Sequence, residues 1–183
     1  MLDKFMQRAR AAGAEVHSFH TADEALKFIT DFLHTEGVAD TPGNYAVWED
    51  YQFPHIVSRE NLASQVPGLK FAATAENTAA ARIGISRMDW GIADSGTLVQ
   101  DSAAVAQRLV SSLPLIHIAL LSKEKIVSDL PELMTKINPA KSSYISFITG
   151  PSRTADIERV LAIGVHGPER VLVLCIDDVK GAD

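Results

Sequence analysis

The chain reads as an α/β domain of three layers, α/β/α, around a mostly parallel sheet, and three observations predict it. Short runs rich in β-branched and aromatic residues alternate along the 183 residues with stretches whose apolar positions recur at helical spacing. Two of those runs, residues 115–121 and 171–176, are almost wholly apolar, as strands covered on both faces are. No internal repeat or low-complexity linker interrupts the alternation, and 183 residues with 46% hydrophobic content suffice for one core, so a single domain over 1–183 is expected.

The elements follow in order. Leu2, Phe5, Met6 and Ala9 form the apolar stripe of a first helix, which Gly13 ends. Residues 16–19 form a short strand. Thr21 with Glu24 three residues on is a capping-box pattern opening a second helix, whose buried face is Ala22, Leu26, Ile29 and Leu33. This helical region covers about residues 1–40. After a Thr-Pro-Gly-Asn turn, residues 45–48 are a strand with Trp48 in the core, and residues 49–54 a polar and aromatic loop. Residues 69–73 give a further strand and 77–81 a helical turn. Residues 90–93 and 97–100 are strands joined by Asp94-Ser95-Gly96, the composition of a hairpin turn. A helix over 103–110, a buried strand over 115–121 and a helix over 126–137 with Ile126, Leu130, Leu133, Met134 and Ile137 inward complete this part. His117, alone in a buried strand, reads as a hydrogen-bonded core residue.

Residues 144–178 read as strand, helix, strand. Residues 144–149 are β-branched and aromatic, Ile157, Val160, Leu161 and Gly164 fall on one helical face, and 171–176 is a central parallel strand, together a right-handed βαβ crossover. Gly150, Pro151, Ser152, Arg153 and Thr154 then stand where a strand hands over to a helix N-terminus. Such a turn suits an anion: Gly150 lets backbone approach, Ser152 and Thr154 donate, and Arg153 offers a planar fork for carboxylate or phosphate. The alternative is a plain cap by Ser152 or Thr154, with Asp156 and Glu158 in the first turn. His166, in the next turn, either reaches a ligand or caps the preceding helix. The hairpin likewise has two readings. Asp94, Ser95 and Thr97 face the 150–154 turn across a cleft, with Asp94 as base or orienting group, or the hairpin is turn chemistry alone.

Composition narrows the function. Seventeen basic against twenty-three acidic residues give a net charge of −6, which argues against an electrostatic grip on nucleic acid or anionic lipid. The first residues carry charges where a signal peptide needs an apolar core, and no apolar run is long enough to span a bilayer, so a cytoplasmic location is expected. Cys175 is the one cysteine. It cannot form an internal disulfide or supply the four thiolates of an iron–sulfur cluster, and its apolar surroundings mark it as a core residue. The six histidines show no metal-ligand spacing, so no metal site is expected.

GPSRTADIE at 150–158, followed by GVHGP at 164–168, resembles the C-terminal signature of the lactate-utilization (LUD) domain family. GIADSGTLV at 91–99 and SLPLIHIALLSKEKIV at 112–127 resemble the other family blocks in the expected order, while residues 1–80 carry nothing diagnostic. Family members often have Glu-Thr or Asp-Thr before the glycine of the middle block. Here Asp94-Ser95 keeps a carboxylate and a hydroxyl. The resemblance implies a fold similar to glucosamine-6-phosphate deaminase, ribose-5-phosphate isomerase and CoA transferases, with ligands at the carboxyl ends of strands. Taken with the turn chemistry above, the candidate catalytic residues are Asp94 and Ser95, and the candidate ligand contacts are Gly96, Thr97, Gly150, Ser152, Arg153, Thr154 and His166, to a small carboxylate or phosphate. It further implies a non-redox subunit of an iron–sulfur system oxidising lactate to pyruvate, with no cofactor in this chain and the clusters in partner subunits. Two alternatives stand beside it: a stand-alone enzyme on a phosphorylated or CoA-linked small molecule, and a small-carboxylate binding protein.

Overall fold

A computed structural model of the chain describes residues 1–155, 161–163 and 167–177. In chain order its elements are α1 (Leu2–Ala11), β1 (Glu15–Phe19), α2 (Ala22–Thr35), β2 (Tyr45–Trp48), α3 (Arg59–Gln65), β3 (Leu69–Lys70), α4 (Ala75–Ala79), β4 (Ala81–Met88), β5 (Trp90–Ile92), β6 (Thr97–Asp101), α5 (Val105–Ser112), β7 (Ile116–Ser122), β8 (Ile126–Val127), α6 (Leu130–Lys136), β9 (Ile145–Ile148), β10 (Arg153–Ala155), β11 (Leu161–Ile163) and β12 (Arg170–Ile176). Six strands form one parallel sheet in the order β1-β12-β7-β4-β2-β3. The apolar runs of β7 and β12 are its central neighbours, paired from Ile116↔Arg170 to Ser122↔Ile176.

Side-chain alternation along these strands feeds two cores. On one face, Ile83, Ile85, Ile118, Leu120, Leu172 and Leu174 meet Leu26, Ile29 and Leu33 of α2, Leu62 of α3, and Trp48. The capping box of α2 is in place: the Thr21 hydroxyl accepts from Glu24 N at 3.2 Å, and Glu24 Oε2 accepts from Thr21 N at 3.3 Å. On the other face Ala119, Leu121, Val171, Val173 and Cys175 meet Phe5 and Ala9 of α1. Phe5 is wholly covered, a burial that favours folding by about 2–3 kcal/mol. A second, mixed sheet in the order β8-β5-β6-β9 contributes Ala93, Leu98 and Ile126 to the same core.

Three expectations are corrected. The helix expected from Thr154 is absent at its start: Arg153–Ala155 is a strand that pairs antiparallel with Leu161–Ile163, so Leu161 belongs to a hairpin. Ile157, Val160 and Gly164 lie outside the described residues. The βαβ crossover fails as well, because β9 pairs antiparallel with β6 in the second sheet while β12 sits in the first. The helix expected over 126–137 starts only at Leu130, capped by Asp129; Ile126 and Val127 pair with β5 instead, and Leu130 and Met134 face outward, each 45% exposed. Two elements had no counterpart in the sequence reading, α3 and β4. β4 is a central strand, but Arg82, Gly84, Ser86 and Arg87 break its apolar run. Two of the breaks answer to neighbouring elements. Gly84 leaves room for the Val110 carbonyl of α5, and the Ser86 hydroxyl pairs with His117. Among the described residues no helix is long and apolar enough to cross a membrane.

Candidate functional site

The hairpin expected at Asp94-Ser95-Gly96 is present, with β5 and β6 antiparallel and Gly96 N donating to Ile92 O at 2.9 Å. Its turn is tied to β8 by Ala93 N to Val127 O at 2.8 Å and Asp94 N to Ser128 O at 3.0 Å. Register then decides what Thr97 faces. β6 pairs with β9 so that Leu98 stands opposite Ile148, which sets Thr97 against Thr149. Thr97 Oγ1 lies 2.6 Å from Ser95 Oγ and 2.8 Å from Thr149 Oγ1, a continuous row of three hydroxyls.

That row forms part of the wall of a cleft of ≈ 470 Å³, which Asp94, Asp129 and the apolar Ile92, Leu130 and Phe147 also line. Asp129 is committed to its helix, with Oδ1 accepting from Glu132 N at 2.8 Å. Asp94 is the other carboxylate in the wall. Lys4 of α1 pairs with it, and both side chains remain about half exposed. A row of hydroxyls in which each donates to the next keeps a donor at one end, which suits a carboxylate or carbonyl oxygen. Asp94 can accept from a hydroxyl in the same space, and Lys4, paired with Asp94, adds a cation beside it. The lining therefore matches a small, oxygen-rich molecule with an apolar side against Phe147 and Leu130.

Four of the other expected site residues make contacts away from this cleft. Gly96 and Gly150 both hold φ of +68°, and a Cβ on either would run into α1: into the backbone at Arg8 and Ala9 for Gly96, into the Ala12 carbonyl for Gly150. Both glycines thus seat the first helix. Arg153 Nη2 donates to Ala12 O at 2.9 Å and so caps the end of that helix, while Ser152 N donates to Pro168 O at 2.8 Å. The 150–154 turn leads into a strand and lacks the helix N-terminus on which its anion reading depended. Thr154 lies within β10, and His166 lies outside the described residues. The structure joins Asp94, Ser95 and Thr97 to Thr149 and Lys4, neither of which the sequence reading singled out. Thr149 was legible only as the end of a strand, and Lys4 as a polar position on an amphipathic helix.

Two buried groups stand apart from the cleft. Burial pushes the Cys175 thiol up to about 12, in keeping with a core residue. His117 is wholly covered, and burial pushes it down to about 4; its Nε2 lies 2.9 Å from Ser86 Oγ.

Comparison with known proteins agrees with these blocks. The lactate utilization protein C of Halalkalibacterium halodurans is 32% identical over 148 residues, 74% of this chain and 63% of that protein. That of a Geobacillus species is 29% identical over 187 residues, 85% of this chain and 78% of that protein. The uncharacterized protein YkgG of Escherichia coli is 36% identical over 104 residues, 54% of this chain and 45% of that protein. The chain spans only about half to two thirds of the length of several of these curated relatives. In fold it matches the crystal structure of a DUF162 family protein from Deinococcus radiodurans, with a TM-score of 0.63 at 18% identity, over 96% of this chain and 95% of that one. Residues 2–176 match the model of the LUD domain, so the chain belongs to the LUD domain family.

Proposed function

We propose that this chain serves lactate utilization as a non-redox subunit of a system that oxidises lactate to pyruvate. The carrying observation is its relationship to lactate utilization protein C from several bacteria, at about 30% identity over most of the chain. Oxidising a 2-hydroxy acid to a 2-keto acid removes two electrons and two protons, so an acceptor is required. The sequence has one thiol, in the core, and no G-x-G-x-x-G turn. Iron–sulfur clusters in partner subunits therefore take the electrons, and this chain contributes binding. The hydroxyl row of Ser95, Thr97 and Thr149, with Asp94 and Lys4, supports a small hydroxy or keto carboxylate as the ligand.

Co-purification from the native cell followed by iron analysis and reconstitution tests this reading. The expected result is iron in the partner proteins only, and lactate-dependent electron transfer that falls at least tenfold when this chain is left out or carries Thr97→Val. Full activity of the partners without the chain would overturn it.

A further inference from the structure

Residues paired across antiparallel strands share a face, and so do alternate residues along one strand. The face of the second sheet on which α6 packs therefore carries two rows: Ile92, Thr97 and Thr149 in one, Trp90, Val99 and Phe147 in the next, about 7 Å along the strands. Leu133 of α6 packs on Ile92, Val99 and Val127. The helix leaves Phe147 47% exposed, and its own first residues, Leu130 and Pro131, are exposed as well. All three line the cleft whose polar wall is the hydroxyl row. Exposed apolar groups gathered beside polar ones in a cleft are what ligand grooves present.

Lactate does not fill this arrangement. At ≈ 470 Å³ the cleft has the size that takes drug-like molecules, far more than a three-carbon acid occupies. With the polar end of a hydroxy acid on Ser95, Thr97 and Thr149 and its hydroxyl on Asp94, a methyl group covers little of Phe147, Leu130 or Pro131. A branched or benzyl side chain runs on to the second row and takes these groups out of water. Each methylene fully buried there tightens binding roughly fourfold, the equivalent of about 0.8 kcal/mol. Charge sets the other limit. Lys4 offsets Asp94, and Asp129 is bonded to its own helix, so one negative charge is tolerated, but the lining has no lysine or arginine to meet the larger charge of a phosphate.

We propose that the cleft selects 2-hydroxy acids with a branched or aromatic side chain over lactate itself, the polar end on the hydroxyl row and the side chain against Phe147, Leu130 and Pro131. The inference rests on the reading of this cleft as the hydroxy-acid site.

Calorimetric titration of the chain with lactate, 2-hydroxyisocaproate and 3-phenyllactate tests it, with the backbone amide resonances of Thr97 and Thr149 marking the site. The two larger acids should bind about tenfold more tightly than lactate, and Phe147→Ala or Leu130→Ala should cut that margin to about threefold or less. Val105→Ala, an exposed apolar position on α5 that does not line the cleft, should leave the margin unchanged. Lactate binding at these amides as tightly as the larger acids overturns the inference and leaves the cleft reading standing. A margin that survives both Phe147→Ala and Leu130→Ala does the same. If no acid moves these amides in the wild-type protein, the inference and the cleft reading fall together.

Discussion

The two ends of the main sheet use the same residue types to opposite effect. At the amino end, Arg170 opens β12 and grips Glu15 of β1 with two bonds, Nε to Oε1 at 2.7 Å and Nη2 to Oε2 at 3.0 Å. Its Nη1 reaches Glu36 at 2.7 Å, Arg82 Nη2 reaches the other Glu36 oxygen at 3.1 Å, and the Arg170 guanidinium lies over Phe32. Burial pushes Glu36 up, but the bonds from Arg170 and Arg82 prevail and hold it below the usual carboxylate range. At the carboxyl end, Lys123 and Asp177 close β7 and β12 with a 2.7 Å pair, but around the exits of β2 and β4 the charges are looser, carboxylates outnumber the one arginine, and Glu49 moves up. Bidentate pairing ties the strand starts together, while the exits of β2 and β4 hold their charges in a longer, half-exposed pair.

The contrast can be broken most directly at Arg170. Arg170→Ala leaves Glu15 without its partner and Glu36 with Arg82 alone, and should destabilise the fold by about 1–2 kcal/mol, less than a fully buried pair because the arginine is 39% exposed. Urea unfolding measures it, and a loss under about 1 kcal/mol would place this network with ordinary surface pairs. Acid titration sharpens the difference. Glu36, with its pKa lowered on folding, contributes stability that is present above the unfolded value of 4.5 and lost as pH falls through the folded one. Glu49, with its pKa raised, contributes stability that is complete below 4.5 and lost as pH rises through about 6. Glu49→Gln should therefore stabilise the protein by about 1 kcal/mol at pH 8, after allowance for solvent, and change little at pH 4. Equal effects at both pH values would remove burial as the cause. The smallest change is expected from Arg87→Ala, whose 3.6 Å pair with Asp50 joins two half-exposed groups: about 0.5 kcal/mol or less by thermal unfolding.

Much of the main sheet was legible because its signals are local. The Thr21–Glu24 capping box, the Gly13 stop, the apolar runs of β7 and β12 and the Asp94-Ser95-Gly96 turn each depend on neighbours a few residues away. β4 was hidden because Ser86 finds its partner on β7, Gly84 packs against α5, and Arg82 and Arg87 pair with Glu36 and Asp50. Residues 153–155 and 161–163 misled because apolar spacing cannot tell a helix from a strand when the deciding contact is one strand with the other.

By itself the sequence determined the alternation of elements, the buried parallel strands, the blocks that carry family membership and the pairing of Asp94 with Ser95 in a turn, all of which follow from composition and spacing within short windows. Tertiary structure alone decided that Thr97 meets Thr149, since that contact is set by strand register across 52 positions of sequence. It alone made Gly96, Gly150 and Arg153 the seat and cap of α1. A glycine with positive φ looks the same in sequence whether the space it leaves is for a ligand or a helix, and only the packed chain says which.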